Sequence, residues 1–375
     1  MNSITGDPPA HTAERSQAGG VQPRKGRGAV SNRDSRYLPH RVEPVPATAV
    51  DDALATATPA TEYSPETAKS IIARNRSPDV PFEQSINPYR GCEHGCIYCY
   101  ARPSHAWLDL SPGLDFETRI HYKSNAAQQL DKELRSPSYR CKPITIGANT
   151  DPNQPIEKRL RITRQLLEVA LRFRQPVSLI TRGQGILADL DLLVELSAQD
   201  LFSAAISVTT LNRDLKRAME PRAPEGATRL SVIEALAAVG VPVSVMVAPV
   251  IPALNDSELE TILEQSARAG ATSAAYILLR LPLETRDLFE EWLRAHYPLR
   301  ARHVMSVLRQ SRGGLDYDAR FRHRMRGTGA FADLLSRRFQ VACRRLGLNQ
   351  RAGERELDCS RFRVPPARGD QLGLF

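Results

Sequence analysis

The sequence predicts an α/β protein: a partial (β/α)6 barrel of the TIM type with parallel strands, followed by a helical, basic C-terminal extension. Three observations carry this expectation. Short β-branched runs alternate with amphipathic stretches from Ser85 onward, the pattern of consecutive βα units. The run centres recur at roughly 30-residue intervals, the size of one such unit. Six units can be read, too few to close an eight-stranded barrel.

The predicted strands are Ser85–Asn87, Ile144–Gly147, Val177–Thr181, Ala204–Val208, Val243–Ala248 and Ala275–Leu279. Between them, Ala126–Arg135, Thr163–Phe173, Leu187–Ser197, Arg229–Val239 and Leu259–Ala269 carry apolar residues at three- and four-residue spacing, which predicts helices. Gly240 and Pro242 stop the fourth. Beyond Leu281 the pattern predicts a helix at Thr285–His296, an irregular Arg- and Gly-rich stretch over Ser311–Gly329 and a helix at Phe331–Leu346. Residues 1–65 are rich in Ala, Pro, Thr, Ser and Gly and read as a disordered or loosely ordered arm. Its basic cluster Arg24–Asn32 reads as solvated, a phosphate contact being the other reading. The expected organisation is therefore an arm (1–65), a partial barrel (66–284), a helical basic extension (285–346) and a flexible tail (347–375).

Net charge is +9, and the quarter from Leu281 to Phe375 holds 19 arginines, no lysine and 11 acidic residues, so +8 of it lies there. Such a face attracts polyanions through counterion release, although Arg-rich helices are also common solvated faces. The longest apolar stretch, Val239–Ala253, is broken by Gly240, Pro242, Pro249 and Pro252, which argues against a membrane span. The N-terminus lacks the apolar run of a secretory signal, so a cytoplasmic, reducing setting is expected and the six cysteines read as thiols or metal ligands.

In a parallel α/β architecture, chemistry belongs where loops leave the C-terminal ends of strands. After the first strand stand Cys92, Cys96 and Cys99 at C-x3-C-x2-C spacing, with Gly91 and Gly95 to turn the backbone. Thiolates suit soft centres such as iron–sulfur clusters or zinc. Structural zinc normally takes four protein ligands, for which His94 is the candidate fourth; a cubane with one open iron takes three.

This loop, with an aromatic residue before its last cysteine and a βα series behind it, resembles the radical S-adenosylmethionine (SAM) superfamily. The resemblance implies that Cys92, Cys96 and Cys99 ligate a [4Fe-4S] cluster whose fourth iron binds SAM, and that the backbone at Tyr98 lies against the adenine. It also implies reductive cleavage of SAM to a radical that abstracts hydrogen, and an electron donor such as flavodoxin or ferredoxin. Later segments are similar to the branch containing spore photoproduct lyase, over roughly Ser85–Leu346. Thr150 in Gly147–Pro152 resembles the turn near the SAM amino-acid moiety, and Arg182 resembles the carboxylate contact, with Arg where the branch has Lys. Ser207 is similar to the ribose-contacting serine, and Ala248 belongs to a Val-Ala-Pro segment similar to the adenine contact. Met219-Glu220-Pro221-Arg222 is also branch-like, with salt bridge and substrate contact both open. Where spore photoproduct lyase has a hydrogen-donating cysteine, Asn149 stands here, so the catalytic hydrogen donor is unassigned and lesion repair by that route is not expected. Tyr98 and Tyr100 read as packing aromatics, with a radical relay as the alternative.

The final Gln371-Leu372-Gly373-Leu374-Phe375 resembles the peptide with which bacterial DNA polymerases and repair proteins dock on the sliding clamp. With the basic quarter and the branch resemblance, it points to a nucleic-acid substrate; rival readings are modification of a peptide, tRNA or metabolite, and a zinc-stabilised clamp-binding adaptor. Cys141, Cys343 and Cys359 show no paired spacing and read as structural or incidental.

Overall fold

The computed structural model describes residues 23–37, 60–350 and 357–366. In chain order the strands among them are β1 (Glu62–Glu66), β2 (Ala73–Arg74), β3 (Gln84–Ile86), β4 (Tyr89–Arg90), β5 (Arg119–Lys123), β6 (Ile144–Ile146), β7 (Val177–Thr181), β8 (Phe202–Ser207), β9 (Val243–Val250) and β10 (Ser273–Leu278). The main sheet runs β2-β3-β6-β7-β8-β9-β10. Every neighbouring pair from β3 to β10 is parallel, and β2 closes one edge antiparallel to β3. All six predicted strands are present, in sequential order, as the partial-barrel expectation requires.

Side chains alternate along these strands. Val177, Leu179, Val243, Val245 and Val247 are buried in one core with the apolar faces of the covering helices Ile162–Phe173, Leu190–Ser197, Gly226–Ala238 and Leu259–Arg268. On the opposite face, Ser178, Ile180, Ser244, Met246 and Ala248 are only half-buried. Hydroxyls meet there, Thr145 with Ser178 at 2.9 Å and Ser244 with Ser273 at 2.5 Å. A closed barrel fills its interior with branched side chains; this inner face sets serines and an alanine beside Ile180 and Met246 and stays partly open.

Several elements were not legible beforehand. Parallel β1–β5 and antiparallel β4–β5 pairs make a second, three-stranded sheet beside the cysteine loop. A helix at Pro298–Gln310 follows the one at Glu284–His296, and the latter buries Trp292 fully with its Nε1 donating to the Ala218 carbonyl at 3.0 Å. No described helix is long and apolar enough to cross a membrane.

The terminal expectations need correction where residues are described. Within the arm, Arg27, Gly28, Ala29 and Val30 are buried, so this part of the basic cluster is no solvated tail. The reason is the Glu117 carboxylate, which accepts the backbone N–H of Gly28 at 2.9 Å and of Ala29 at 2.8 Å. Farther along, Ser31 and Arg33 bond Glu291, Arg33 also bonds Asp287, and Arg36 bonds Glu284, strapping the segment to the Glu284–His296 helix. In the tail, Phe362 packs on Tyr139 and Phe173, and Arg363 N–H donates to the Phe173 carbonyl at 2.9 Å. Cys359 lies close enough to Cys141 that burial and then Cys359 raise the Cys141 thiol above its ordinary range, a neighbourhood that a separation of 218 positions hides in the sequence. The clamp-like Gln371–Phe375 lies outside the described residues.

Candidate metal and cofactor site

The cysteine loop begins where β3 ends. Asn87 accepts the backbone N–H of Asn149 at 2.7 Å and of Thr150 at 3.3 Å, tying the loop after β6 to the loop after β3. At Gly91 (φ +78°) an added Cβ would lie 2.9 Å from the Phe116 carbonyl oxygen, and at Gly95 (φ +69°) 2.8 Å from Glu117 Oε2. Both the left-handed backbone and the crowding demand glycine. Cys92 N–H donates to the Phe116 carbonyl at 2.9 Å, and Cys99 N–H to the Cys96 carbonyl at 3.2 Å, so the three thiols are presented by a folded turn.

Cys92 and Cys96 are buried and Cys99 is half-buried. Burial pushes the Cys96 thiol up to about 12, opposed by the Arg182 guanidinium; burial and then Asp151, Cys96 and Cys99 raise Cys92 well above the ordinary thiol range. Among the described residues no three His, Cys, Asp or Glu side chains gather as they would around a single ion. A cubane differs, because each thiolate takes its own iron. His94, the candidate fourth zinc ligand, is turned to Asp151, its Nδ1 3.3 Å from Oδ2. Three thiols without a fourth protein ligand suit a cluster with one open iron.

Beside the thiols stands a buried polar group. Arg182, leaving β7, places Nη1 2.9 Å from Cys96 Sγ and 2.9 Å from Glu220 Oε1, and also bonds the Tyr98 hydroxyl. Its backbone N–H donates to Asp151 Oδ2 at 2.9 Å, while Thr181 Oγ1 donates to Asp151 Oδ1 at 2.6 Å. Glu220, fully buried, accepts from Thr209 Oγ1 at 2.8 Å, from the Tyr98 hydroxyl and from Arg229. Burial disfavours its charge, yet Arg229 and Arg182 outweigh that and pull the carboxyl down to about 2. Asp151 is held below the usual carboxylate range in the same way, burial being overcome by His94 and Arg182.

A second buried pair braces the loop from behind. Arg102 and Glu117, both fully enclosed, form an ion pair, and Arg102 also donates to the carbonyls of Gly95 (3.3 Å), Cys96 (3.0 Å), Pro112 (3.1 Å) and Gly113 (2.9 Å). Glu93 joins the loop to β1 and to the Glu220 segment through Tyr63 Oη (2.9 Å) and Arg222 (2.8 Å).

The remaining sequence-predicted residues fall around this centre. Thr150 is buried, with Oγ1 donating to the Tyr89 carbonyl at 2.9 Å. Ser207 ends β8, and Ala248 lies on β9 with its carbonyl accepting from Thr209 Oγ1 at 3.2 Å. By strand alternation Arg182, Ser207 and Ala248 share the open inner face. Tyr98 turns its ring into the Arg182–Glu220 group, and Tyr100 donates to the Ala148 carbonyl. Sequence reasoning missed Arg102 and Glu117, and it left without roles Asp151, in the Gly147–Pro152 turn, and Glu220 and Arg229, in the branch-like segment that runs from Met219 into Arg229-Leu230.

A family model described as the radical SAM superfamily matches residues 86–265. Uncharacterised proteins of Mycobacterium tuberculosis and Mycobacterium bovis are each 40% identical to the chain over 237 residues, 62% of this chain and 70% of theirs. One of Methanocaldococcus jannaschii is 25% identical over 232 residues, 62% of this chain and 82% of its own. A solved structure of a spore photoproduct lyase variant superposes with a TM-score of 0.52 at 14% identity, over 76% of this chain and 80% of that one, a likeness of fold. With the cysteine loop at the end of the first parallel strand, these findings show that the chain is an enzyme of the radical SAM superfamily, a family that uses a [4Fe-4S] cluster and S-adenosylmethionine.

Proposed function

We propose that Cys92, Cys96 and Cys99 hold a [4Fe-4S] cluster at which SAM is cleaved reductively, and that the radical so formed abstracts hydrogen from a nucleic acid. The observation that carries the first part is the single glycine-turned loop presenting three thiols, with His94 engaged by Asp151. When bound, the cluster supplies the electron that cleaves SAM. The protein supplies placement. Tyr98 is fixed by Glu220 and Thr209, and Arg182 keeps a positive charge against Cys96, where it favours anionic sulfur. Thr150, Arg182, Ser207 and Ala248 are the residues assigned to SAM, on the inner face and the loop above it.

The nucleic-acid part is supported by the +8 C-terminal quarter, whose Glu284–His296 helix packs on the Arg102–Leu108 turn that follows the cysteine loop. An electron donor of the flavodoxin or ferredoxin kind and clamp docking through Gln371–Phe375 belong to the same reading. So does a reducing cytoplasm, which suits six cysteines without a disulfide.

The test is anaerobic purification, reconstitution with iron and sulfide, and EPR of the reduced protein with and without SAM. The expected result is a cubane signal that changes on SAM addition and is lost in Cys96→Ala. Zinc at one equivalent per chain, without inorganic sulfide, refutes it.

A further inference from the structure

The main sheet leaves a gap between its edges, β10 on one side and the β2–β3 pair on the other, and one segment crosses it. Arg312, almost fully buried, donates to the carbonyls of Leu278 (3.3 Å) and Leu279 (2.8 Å) at the end of β10, and to the His323 carbonyl at 2.7 Å. Ten residues on, the backbone N–H of Arg322 and the side chain of Arg324 bond Asp79, and Arg324 also bonds Ser77, both in the turn between β2 and β3. The crossing segment thus ties the two edges together across the open side.

Arg280, just past β10, lies between this segment and the cysteine loop. Its guanidinium sits 5.0 Å over the ring of Tyr100, the residue after Cys99, and Nη1 is 3.2 Å from Met325 Sδ. Its Nε is buried and has no hydrogen-bond partner. Among the described residues Arg280 has no carboxylate partner, and neither does the Arg322 side chain. Instead Arg280 faces a second guanidinium: burial, and then Arg280, push Arg312 down to about 10. Asp318 offsets part of the charge on Arg312 but Arg280 itself has no carboxylate partner among the described residues, so two cations side by side raise the local potential there and call for an anion. Next to Arg322 the ring of Phe321 is 53% exposed, with Arg324 at 4.7 Å from its centre. A cationic track interleaved with exposed aromatic rings is the chemistry that holds a single-stranded nucleic acid, phosphates on the guanidiniums and bases on the rings.

We propose that Arg280 and Arg322, backed by Tyr100 and Phe321, seat the phosphodiester backbone of a single-stranded nucleic acid where it enters the open side of the barrel. The proposal rests on the nucleic-acid reading above and adds the residues that grip the strand. Arg280 holds the phosphate nearest the cluster loop through a forked contact that lysine cannot reproduce.

The experiment uses the reconstituted full-length enzyme and fluorescently labelled short single-stranded oligonucleotides, DNA in one arm and RNA in the other. Anisotropy is recorded over a range of salt concentrations. Arg280→Gln and Arg322→Gln are each expected to weaken binding by about tenfold and to reduce the slope of log affinity against log salt by about 0.7, the share of one phosphate. Arg280→Lys should keep the slope while losing affinity, which separates loss of the fork from a folding defect. Arg268→Gln, on a helix away from the gap and paired with Glu264, should match the wild type. Wild-type binding that survives unchanged in both glutamine variants overturns the proposal and leaves the nucleic-acid reading standing. Absence of salt-dependent binding of either oligonucleotide by the wild type overturns both. Loss of SAM affinity in Arg280→Gln with oligonucleotide affinity intact also overturns it, by assigning Arg280 to the SAM carboxylate.

Discussion

Replacing Glu117 with Gln tests how the cysteine loop is held. The carboxylate is fully enclosed and does three things together: it neutralises Arg102, and it accepts the Gly28 and Ala29 backbone N–H groups. Arg102 in turn holds the carbonyls of Gly95 and Cys96, so one charge links the N-terminal strap to the turn between two cysteines. Glutamine preserves shape but leaves a buried guanidinium without its counter-ion, which costs about 3–5 kcal/mol. Its amide also presents an N–H where an acceptor was, so one of the two strap bonds is lost, about 2 kcal/mol for a bond to a charged group. Against a total stability on the order of 10 kcal/mol the first loss is large. The second has a local signature: one of the two strap amides, Gly28 or Ala29, should exchange about 30-fold faster than in the wild type, beyond any global change. Hydrogen exchange read by mass spectrometry at residues 23–37, with urea midpoints alongside, measures both. Unchanged exchange at Gly28 and Ala29, or a stability loss below about 1 kcal/mol, would refute the account of Glu117 as a buried charge organising loop and strap.

Two further predictions follow from buried groups away from the thiols. Glu157, bonded by the Tyr89 hydroxyl and by Thr163 N–H at 2.8 Å, is pushed by burial from the ordinary 4.5 up to about 7. Its contribution to stability is therefore complete below pH 4.5 and is lost as pH rises to about 7, amounting to on the order of 3 kcal/mol; the difference in urea midpoint between wild type and Glu157→Gln should change over that window and be flat above it. Trp292→Ala should cost about 3–5 kcal/mol, since the ring is fully buried, lies 5.4 Å from Phe289 and 5.5 Å from Tyr297, and its N–H is spent on Ala218; a urea midpoint within experimental error of the wild type would contradict it.

What the sequence disclosed follows periodicity. The six parallel strands were readable because each is a short apolar run followed by a helix with its own repeat, and the cysteine loop because three thiols fall within eight positions. The pieces that escaped have no period. Residues 23–37 form neither helix nor strand; they are buried because Glu117 accepts their amides and the acids of the Glu284–His296 helix capture their arginines, contacts made over 80 to 260 positions. The three-stranded side sheet escaped because β4 has two residues and β1 is rich in glutamate and proline, which suits an edge. Likewise the sequence places Asp151 in a turn and leaves Glu220 open between salt bridge and substrate contact, and only the fold brings Arg182, Arg229 and His94 to them.

The enclosed charges also bear on why this site is built as it is. Arg102–Glu117 and the Arg182–Glu220–Arg229 group are expensive, because desolvating each ion costs more than a matched apolar replacement would. An apolar residue at Glu220 could still pack the interior, yet it would leave Arg182 and Arg229 repelling each other beside Cys96 and would release the Tyr98 hydroxyl. The network therefore trades stability for placement. Glu220 lies on the segment whose Met219 carbonyl accepts the Ile97 N–H at 3.0 Å, so the group that fixes Arg182 also fixes the loop between Cys96 and Cys99. A guanidinium held against one thiol, and a tyrosine hydroxyl held on the same carboxylate, are what the ion pairs secure, and neither would follow from hydrophobic packing alone.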